Sequence, residues 1–320
     1  MENIIKQVHF QLTRSCNLRC SFCGQWGKKG FFADSSGEEM TLSDWMRIID
    51  ELEEYRKKSG ISPVVTLWGG EPLVSPCFDE IARELKNRGF SLELITNGTR
   101  INEHKDVIKS CIDRVYVSLD GDRKTHNAIR GEGVFEKVRV NLIELEHTNV
   151  TVMSVITPSM IEGIDEFLEE LKGIGIKNLF LQNMIGLTLD EIENYKMWMK
   201  STFGIDAKEI EAWETSGNID FTKLLGDRLQ HINLDDVPFE ISHKKHTDDK
   251  KIICKSPFSH AHIAWNGNVL FCTDFYDFSA GNVKEETLEN IFSNEKSEMF
   301  RREIENSNCI TCNHCSWRMS

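Results

Sequence analysis

Val8-His9-Phe10-Gln11-Leu12, a short β-rich run, leads directly into Arg14-Ser15-Cys16-Asn17-Leu18-Arg19-Cys20-Ser21-Phe22-Cys23. The join places three thiols on a loop at the end of a strand. An iron–sulfur cube takes one thiolate on each of four irons, so a loop that supplies three leaves one iron open to bind and activate a small molecule. Catalytic metal sites keep such an open position, whereas structural ones are closed.

Five more runs of the same kind follow: Val64-Val65-Thr66-Leu67-Trp68, Leu92-Glu93-Leu94-Ile95, Val115-Tyr116-Val117-Ser118-Leu119, Val150 to Ile156, and Asn178-Leu179-Phe180-Leu181-Gln182. Amphipathic segments separate them. The clearest opens at Thr41-Leu42-Ser43-Asp44, where a hydroxyl N-cap precedes Trp45, Ile48, Ile49 and Leu52 at helical spacing. This alternation is the signature of βα units around a parallel sheet, in which chemistry gathers where strands end and loops begin. The cysteine loop follows the first run, Gly69-Gly70-Glu71-Pro72 the second, Thr96-Asn97-Gly98-Thr99 the third and Asp120-Gly121 the fourth. Four polar or glycine-rich strand ends on one side of a sheet define a site.

The 320 residues, 40% hydrophobic and 28% charged, suffice for one barrel-sized domain with a small appendage. A net charge of -13 argues against a nucleic-acid surface, which would carry basic patches. The N-terminus has no signal-peptide apolar region, and no apolar run approaches the roughly 20 residues of a membrane helix. A cytoplasmic enzyme without membrane or nucleic-acid partners is expected. Eight of the ten cysteines fall in two groups, near Cys16 and from Cys254 onward, a pattern that in a reducing compartment favours metal binding over disulfides.

The C-x3-C-x2-C spacing of Cys16, Cys20 and Cys23, with Gly69-Gly70-Glu71-Pro72 after the second strand and Ser118-Leu119-Asp120-Gly121 followed by Arg130, resembles the radical S-adenosylmethionine (SAM) superfamily. The resemblance implies that the three thiols hold a 4Fe-4S cluster whose open iron chelates SAM. It also implies reductive cleavage of SAM to a 5′-deoxyadenosyl radical, fed by an external electron donor such as flavodoxin or ferredoxin. Gly69 and Gly70 would let the backbone approach the SAM amino group, which a Cβ would block, with Glu71 a cofactor ligand or a loop carboxylate. Ser118 and Arg130 would lie near the SAM carboxylate, which suits the paired donors of a guanidinium, and Asp120 near the ribose. Asn97 would line the SAM pocket, Phe22 cover the adenine, and Gln182 contact substrate or nucleoside. The alternatives are a three-cysteine zinc site, a plain turn at Asp120-Gly121 and a surface Arg130.

The second group comprises Cys254, Gly267-Asn268-Val269-Leu270-Phe271-Cys272 and Cys309-Ile310-Thr311-Cys312-Asn313-His314-Cys315. It resembles the C-terminal SPASM extension or its shorter twitch form, which implies an auxiliary 4Fe-4S cluster. Five cysteines complete one such cluster: Cys254 and Cys272 with two of Cys309, Cys312 and Cys315. A structural zinc is the rival for these thiols. Asn266-Gly267 marks a hairpin turn, and helical segments run from about Glu285 to Glu305. Asp274, two residues beyond Cys272, is a candidate general base, because oxidation by hydrogen abstraction also requires loss of a proton. Cys77 and Cys111 read as small core residues, and His126, His260 and His262 as structural histidines.

The expected fold is therefore α/β: a partial (β/α)6 TIM-like barrel over residues 1–186, a helical bridge and linker over 187–251, and a cluster-binding α+β extension over 252–320. The expected reaction is hydrogen-atom abstraction from a peptide substrate, with the auxiliary cluster assisting its oxidation or modification. A sugar- or aminocyclitol-type small molecule, dehydrogenated or epimerised, is the alternative, and a non-catalytic iron–sulfur electron carrier the alternative from another class. The absence of an obvious peptide-recognition domain before the first strand weakens the peptide reading.

Overall fold

A computed structural model describes residues 3–32, 36–145, 149–215, 221–230, 240–243, 254–274, 276–306 and 312. Its centre is one ten-stranded sheet: β1 (Gln7–Gln11), β2 (Val64–Trp68), β3 (Leu92–Thr96), β4 (Arg114–Ser118), β5 (Val150–Ile156), β6 (Asn178–Asn183), β7 (Glu240–His243), β8 (His260–Ile263), β9 (Asn268–Leu270) and β10 (Gly281–Asn282). The strand order is β10-β9-β8-β1-β2-β3-β4-β5-β6-β7. Strands β1 to β6 pair in parallel and in sequence, the expected partial barrel.

Two strands extend it beyond the six runs read from the sequence. β7, within the 187–251 segment, pairs in parallel with β6. β8, after Cys254, pairs in parallel with β1 across some 250 residues, with His260 opposite Gln7 and His262 opposite His9. The C-terminal extension thus continues the barrel sheet, and only β9 and β10 add antiparallel pairs. The expected turn joins β8 to β9, with Gly267 at φ 93° where a Cβ would be strained.

Strand alternation decides which residues reach the site. Val8 and Phe10 of β1, Val65 and Leu67 of β2, Leu92 and Leu94 of β3, and Val115 and Val117 of β4 are buried in the helix-facing core. Phe10, for example, lies 4.7 Å from the Trp45 ring, centroid to centroid. Trp45 belongs to the helix Leu42–Ser59, which begins in a capping box between Thr41 and Asp44 and stops at Gly60 with φ 73°. The alternate residues Gln7, His9, Thr66, Trp68, Glu93, Tyr116 and Ser118 face the other way and line a cavity. The inner face of the barrel therefore mixes these polar groups with apolar ones such as Ile95, Met153 and Val155, and the close-packed core is the layer between sheet and helices.

The C-terminal helices are Leu288–Ser293 and Glu295–Asn306. The second carries Arg301, which is buried and donates to the carbonyls of Pro257 (2.7 Å) and Phe292 (2.6 Å). Cys77 is the N-cap residue of the helix Phe78–Asn87, and Cys111 is buried at the end of the helix Lys105–Cys111.

Candidate active site

The cysteine loop leaves β1 and folds onto the loop after β2. Gly70 donates its N–H to Thr13 O and Glu71 to Ser15 O, both at 2.9 Å. A Cβ on Gly69 would lie 2.5 Å from Thr13 O, and one on Gly70 would be closer still to the carbonyls of Arg14 and Ser15. The direct reason for both glycines is the cysteine loop's own backbone, rather than the approach of a ligand alone, although both also line the cavity. Leu18 N and Trp26 N each point to a thiol, Cys16 Sγ and Cys23 Sγ, at 3.4 Å. Burial pushes the Cys16 thiol up to about 11, with Glu71, Cys20 and Cys23 adding to the rise.

Glu71 is buried and does not line the cavity. Its carboxylate accepts hydrogen bonds from Leu73 N (3.1 Å), Thr96 Oγ1 (2.6 Å) and Asn97 N (2.7 Å), which makes it a strut between the ends of β2 and β3. Burial raises its pKa against those three bonds. Asn97 also lies behind the cavity wall, where its amide donates to Asn17 Oδ1 at 2.9 Å and approaches Cys16 Sγ at 3.9 Å.

Asp120, expected beside a ribose, is fully buried, and its two oxygens are already engaged. Oδ2 pairs with Arg130 Nε at 2.5 Å, and Oδ1 accepts from Val155 N at 3.0 Å. The first of these contacts holds the Arg130 guanidinium. That guanidinium lines the cavity with Phe22, whose ring centroid is 6.0 Å away. His126 is held from behind, since its Nδ1 accepts from Asp120 N at 3.0 Å. Ser118 and Gln182 line the same space, as does Met184.

The cavity has a volume of about 530 Å³, within the range of sites that enclose a small ligand. It joins the two cysteine groups: Cys20 and Cys23 line it on one side, and Cys254, Cys272 and Cys312 on the other. Cys309 and Cys315 lie outside the described residues. Asp274 lines the cavity with Oδ2 unpartnered among the described residues, and burial pushes its carboxyl up to about 7. Its carbonyl accepts from Trp213 Nε1 at 2.7 Å, which ties the 187–215 segment over the opening.

His9, His260 and His262 also enter this space, together with Trp68, Glu93, Trp198 and Trp213. For His9 the signal was available in the strand alternation that sets it opposite Val8 and Phe10. His260 and His262, like His126 at Nε2, each keep a buried nitrogen without a partner among the described residues, but unlike His126 they line the cavity.

A loop of three thiols against two mandatory glycines, with a largely buried guanidinium lining the same cavity, suits a cluster with one open iron and an amino-acid ligand. The chain belongs to the radical SAM superfamily, whose model matches residues 10–199. A model described as an iron–sulfur cluster-binding domain matches residues 254–316. Membership brings a 4Fe-4S cluster and SAM as cofactors, and the second domain additional iron–sulfur clusters.

Among its relatives is the tungsten-containing aldehyde ferredoxin oxidoreductase cofactor-modifying protein of Pyrococcus furiosus, 24% identical over 98% of this chain and 88% of the relative. The sporulation killing factor maturation protein SkfB of Bacillus subtilis is 25% identical over 94% of this chain and 68% of the relative. The crystal structure of Streptococcus suis SuiB shares the fold, with a TM-score of 0.69 over 98% of this chain and 72% of that one at 15% identity. Among the described residues, no helix is long and apolar enough to cross a membrane.

Proposed function

We propose that this enzyme removes a hydrogen atom from a peptide substrate, and that Cys254, Cys272 and two of Cys309, Cys312 and Cys315 would hold an auxiliary cluster that assists oxidation or modification of that substrate. The observation that supports this reading is one cavity lined by Cys20 and Cys23 from the first cysteine group and by Cys254, Cys272 and Cys312 from the second. With SAM bound at the first cluster, the cofactors supply a 5′-deoxyadenosyl radical. Cys16, Cys20 and Cys23 are the ligands of that cluster, and Arg130, fixed by Asp120, receives the SAM carboxylate beside Ser118. Phe22 covers the adenine, Gln182 faces nucleoside or substrate, and Trp198 and Trp213 exclude water. Asp274, buried and unpartnered, is placed to hold the proton that oxidation releases. An external donor such as flavodoxin or ferredoxin supplies the reducing electron.

The peptide assignment draws support from the maturation protein SkfB and from SuiB, whose fold is shared and which is known bound to the precursor peptide SuiA. A small-molecule substrate is the second reading, favoured by the cofactor-modifying relative that matches nearly the whole chain. Anaerobic reconstitution tests the chemistry. Iron and sulfide of about eight each mark two cubes, and reduction with SAM should yield 5′-deoxyadenosine. A reconstituted, reduced protein that yields none is not such an enzyme. Mass spectrometry of peptides and of small-molecule extracts after turnover then separates the two substrate readings.

A further inference from the structure

The seam between β1 and β8 brings three imidazoles into the cavity, and their hydrogen bonds fix which nitrogens carry protons. Ser259 Oγ donates its one hydrogen to Lys255 O at 3.0 Å. It can therefore only accept from His260 Nδ1, at 2.8 Å. That assignment leaves His260 Nε2 as a bare lone pair. In the same way Ser256 Oγ donates to Phe271 O at 3.0 Å, so at 3.5 Å it accepts from His262 Nε2, and His262 Nδ1 is left as the lone pair. These two nitrogens are the ones that have no partner among the described residues, as do both nitrogens of His9.

The three rings are close together. His9 lies 4.4 Å from His262 and 6.1 Å from His260, centroid to centroid. Burial holds His9 at about 3 and His260 at about 4, and pushes His262 well below 6.5, so all three are neutral near pH 7, His260 and His262 with one bare acceptor each and His9 with one N–H and one lone pair. Glu93 adds an acceptor at the same floor, where its carboxylate receives Thr66 Oγ1 (3.1 Å) and Gln7 Nε2 (3.2 Å). A buried acceptor without a donor costs about 1–3 kcal/mol, and two or three side by side mark a place that something else fills.

We infer that the β1/β8 seam is a substrate seat selective for hydroxyl or amino groups, in which His260 Nε2 and His262 Nδ1 accept O–H or N–H hydrogen bonds and carboxylates are rejected. This inference rests on the radical reading only in calling the ligand a substrate. The Trp68 indole N–H, also unpartnered among the described residues, can return a hydrogen bond to a hydroxyl oxygen.

Nitrogen-15 NMR of the histidine-labelled, anaerobically reconstituted and oxidised holoprotein tests it, with signals assigned through H260F and H262F. At pH 7 His260 should be protonated at Nδ1 and His262 at Nε2. N-acetyl-serine amide or N-acetyl-lysine amide should shift the two bare nitrogens if the donor arrives on a peptide, and glucosamine if it arrives on a sugar. N-acetyl-aspartate amide should leave them in place. Each phenylalanine variant should weaken binding of the donor probe by about three- to tenfold.

The opposite tautomers, an imidazolium at either position, a shift driven by the aspartate probe, or no shift with any probe would overturn the inference. The tautomer measurement uses the unaltered protein and survives a variant that fails to fold. Failure of that same preparation to form 5′-deoxyadenosine would defeat the catalytic reading instead, and would leave the tautomers untouched.

Discussion

The two cysteine-bearing segments border one cavity but are held by different means. The first loop is fastened by neighbouring backbone: Gly70 N to Thr13 O, Glu71 N to Ser15 O and Ser21 N to Ile129 O, with Glu71 bracing the strand ends behind it. The second also has main-chain pairing, of β8 with β1, and adds to it a side chain from far along the chain. Arg301 joins the carbonyls of Pro257 and Phe292 while its guanidinium lies 5.2 Å from the Phe271 ring, next to Cys272. A loop packed against glycines tolerates little change in shape, whereas the second segment adds to its strand pairing a dependence on one buried arginine.

The comparison breaks most sharply at the thiols. C20A should abolish 5′-deoxyadenosine formation and lower bound iron by about half of the two-cluster total. C272A should lower iron to a similar extent while SAM cleavage continues and product formation falls. Equal loss of SAM cleavage in both, read by chromatography, would mean that the two segments do not divide the work.

At the second segment, R301M strips two buried carbonyls of their donor and should destabilise the protein by about 3 kcal/mol, seen as a lower thermal midpoint. The auxiliary cluster should be lost before the first one, as followed by iron content during mild heating. At the first segment, G70A drives a Cβ into the Arg14 and Ser15 carbonyls and should cost about 1–3 kcal/mol. Gly173, in the helix Ile164–Ile174 and with nothing within 4 Å of an added Cβ, is the control. G173A should be neutral or stabilising by up to about 1 kcal/mol.

A further contrast concerns pH. His9 and His260 have folded pKa values of about 3 and 4, below the ordinary 6.5. Below pH 6.5 the unfolded chain takes up protons that the folded seam refuses, so stability falls with pH until the folded rings protonate near 4 and then 3. Thermal midpoints between pH 7 and 4 should therefore drop less steeply in a H9F/H260F double variant than in the unaltered protein.

Much of this division was legible in the order of residues. The runs at Val64–Trp68 and Val150–Ile156 are strands over those same residues, and the other four shift by a residue or two at their ends. Thr41 caps its helix as its hydroxyl suggested, because capping is a bond between near neighbours. β7 and β8 were not legible as barrel strands, since the pairing of β8 with β1 is decided by which sheet edge stands open after six units have folded. Asp120 shows the same limit. A carboxylate next to a glycine at a strand end reads as a ligand, and only the position of Arg130 ten residues on and of β5 beside it turns it into a support.

The sequence by itself determined the chemistry of this protein: three thiols at the first strand end, glycines where the next loop must touch them, and the barrel that presents both. These are local features, carried by spacing, strand alternation and capping, which neighbouring residues enforce. Tertiary structure alone decided that Cys254, Cys272 and Cys312 line the same cavity as Cys20 and Cys23, that Asp120 and Glu71 stand behind the site, and that His9 meets His260 and His262. Those facts depend on groups brought together across some 250 residues by burial of the sheet, and on hydrogen bonds that exist only once it has closed.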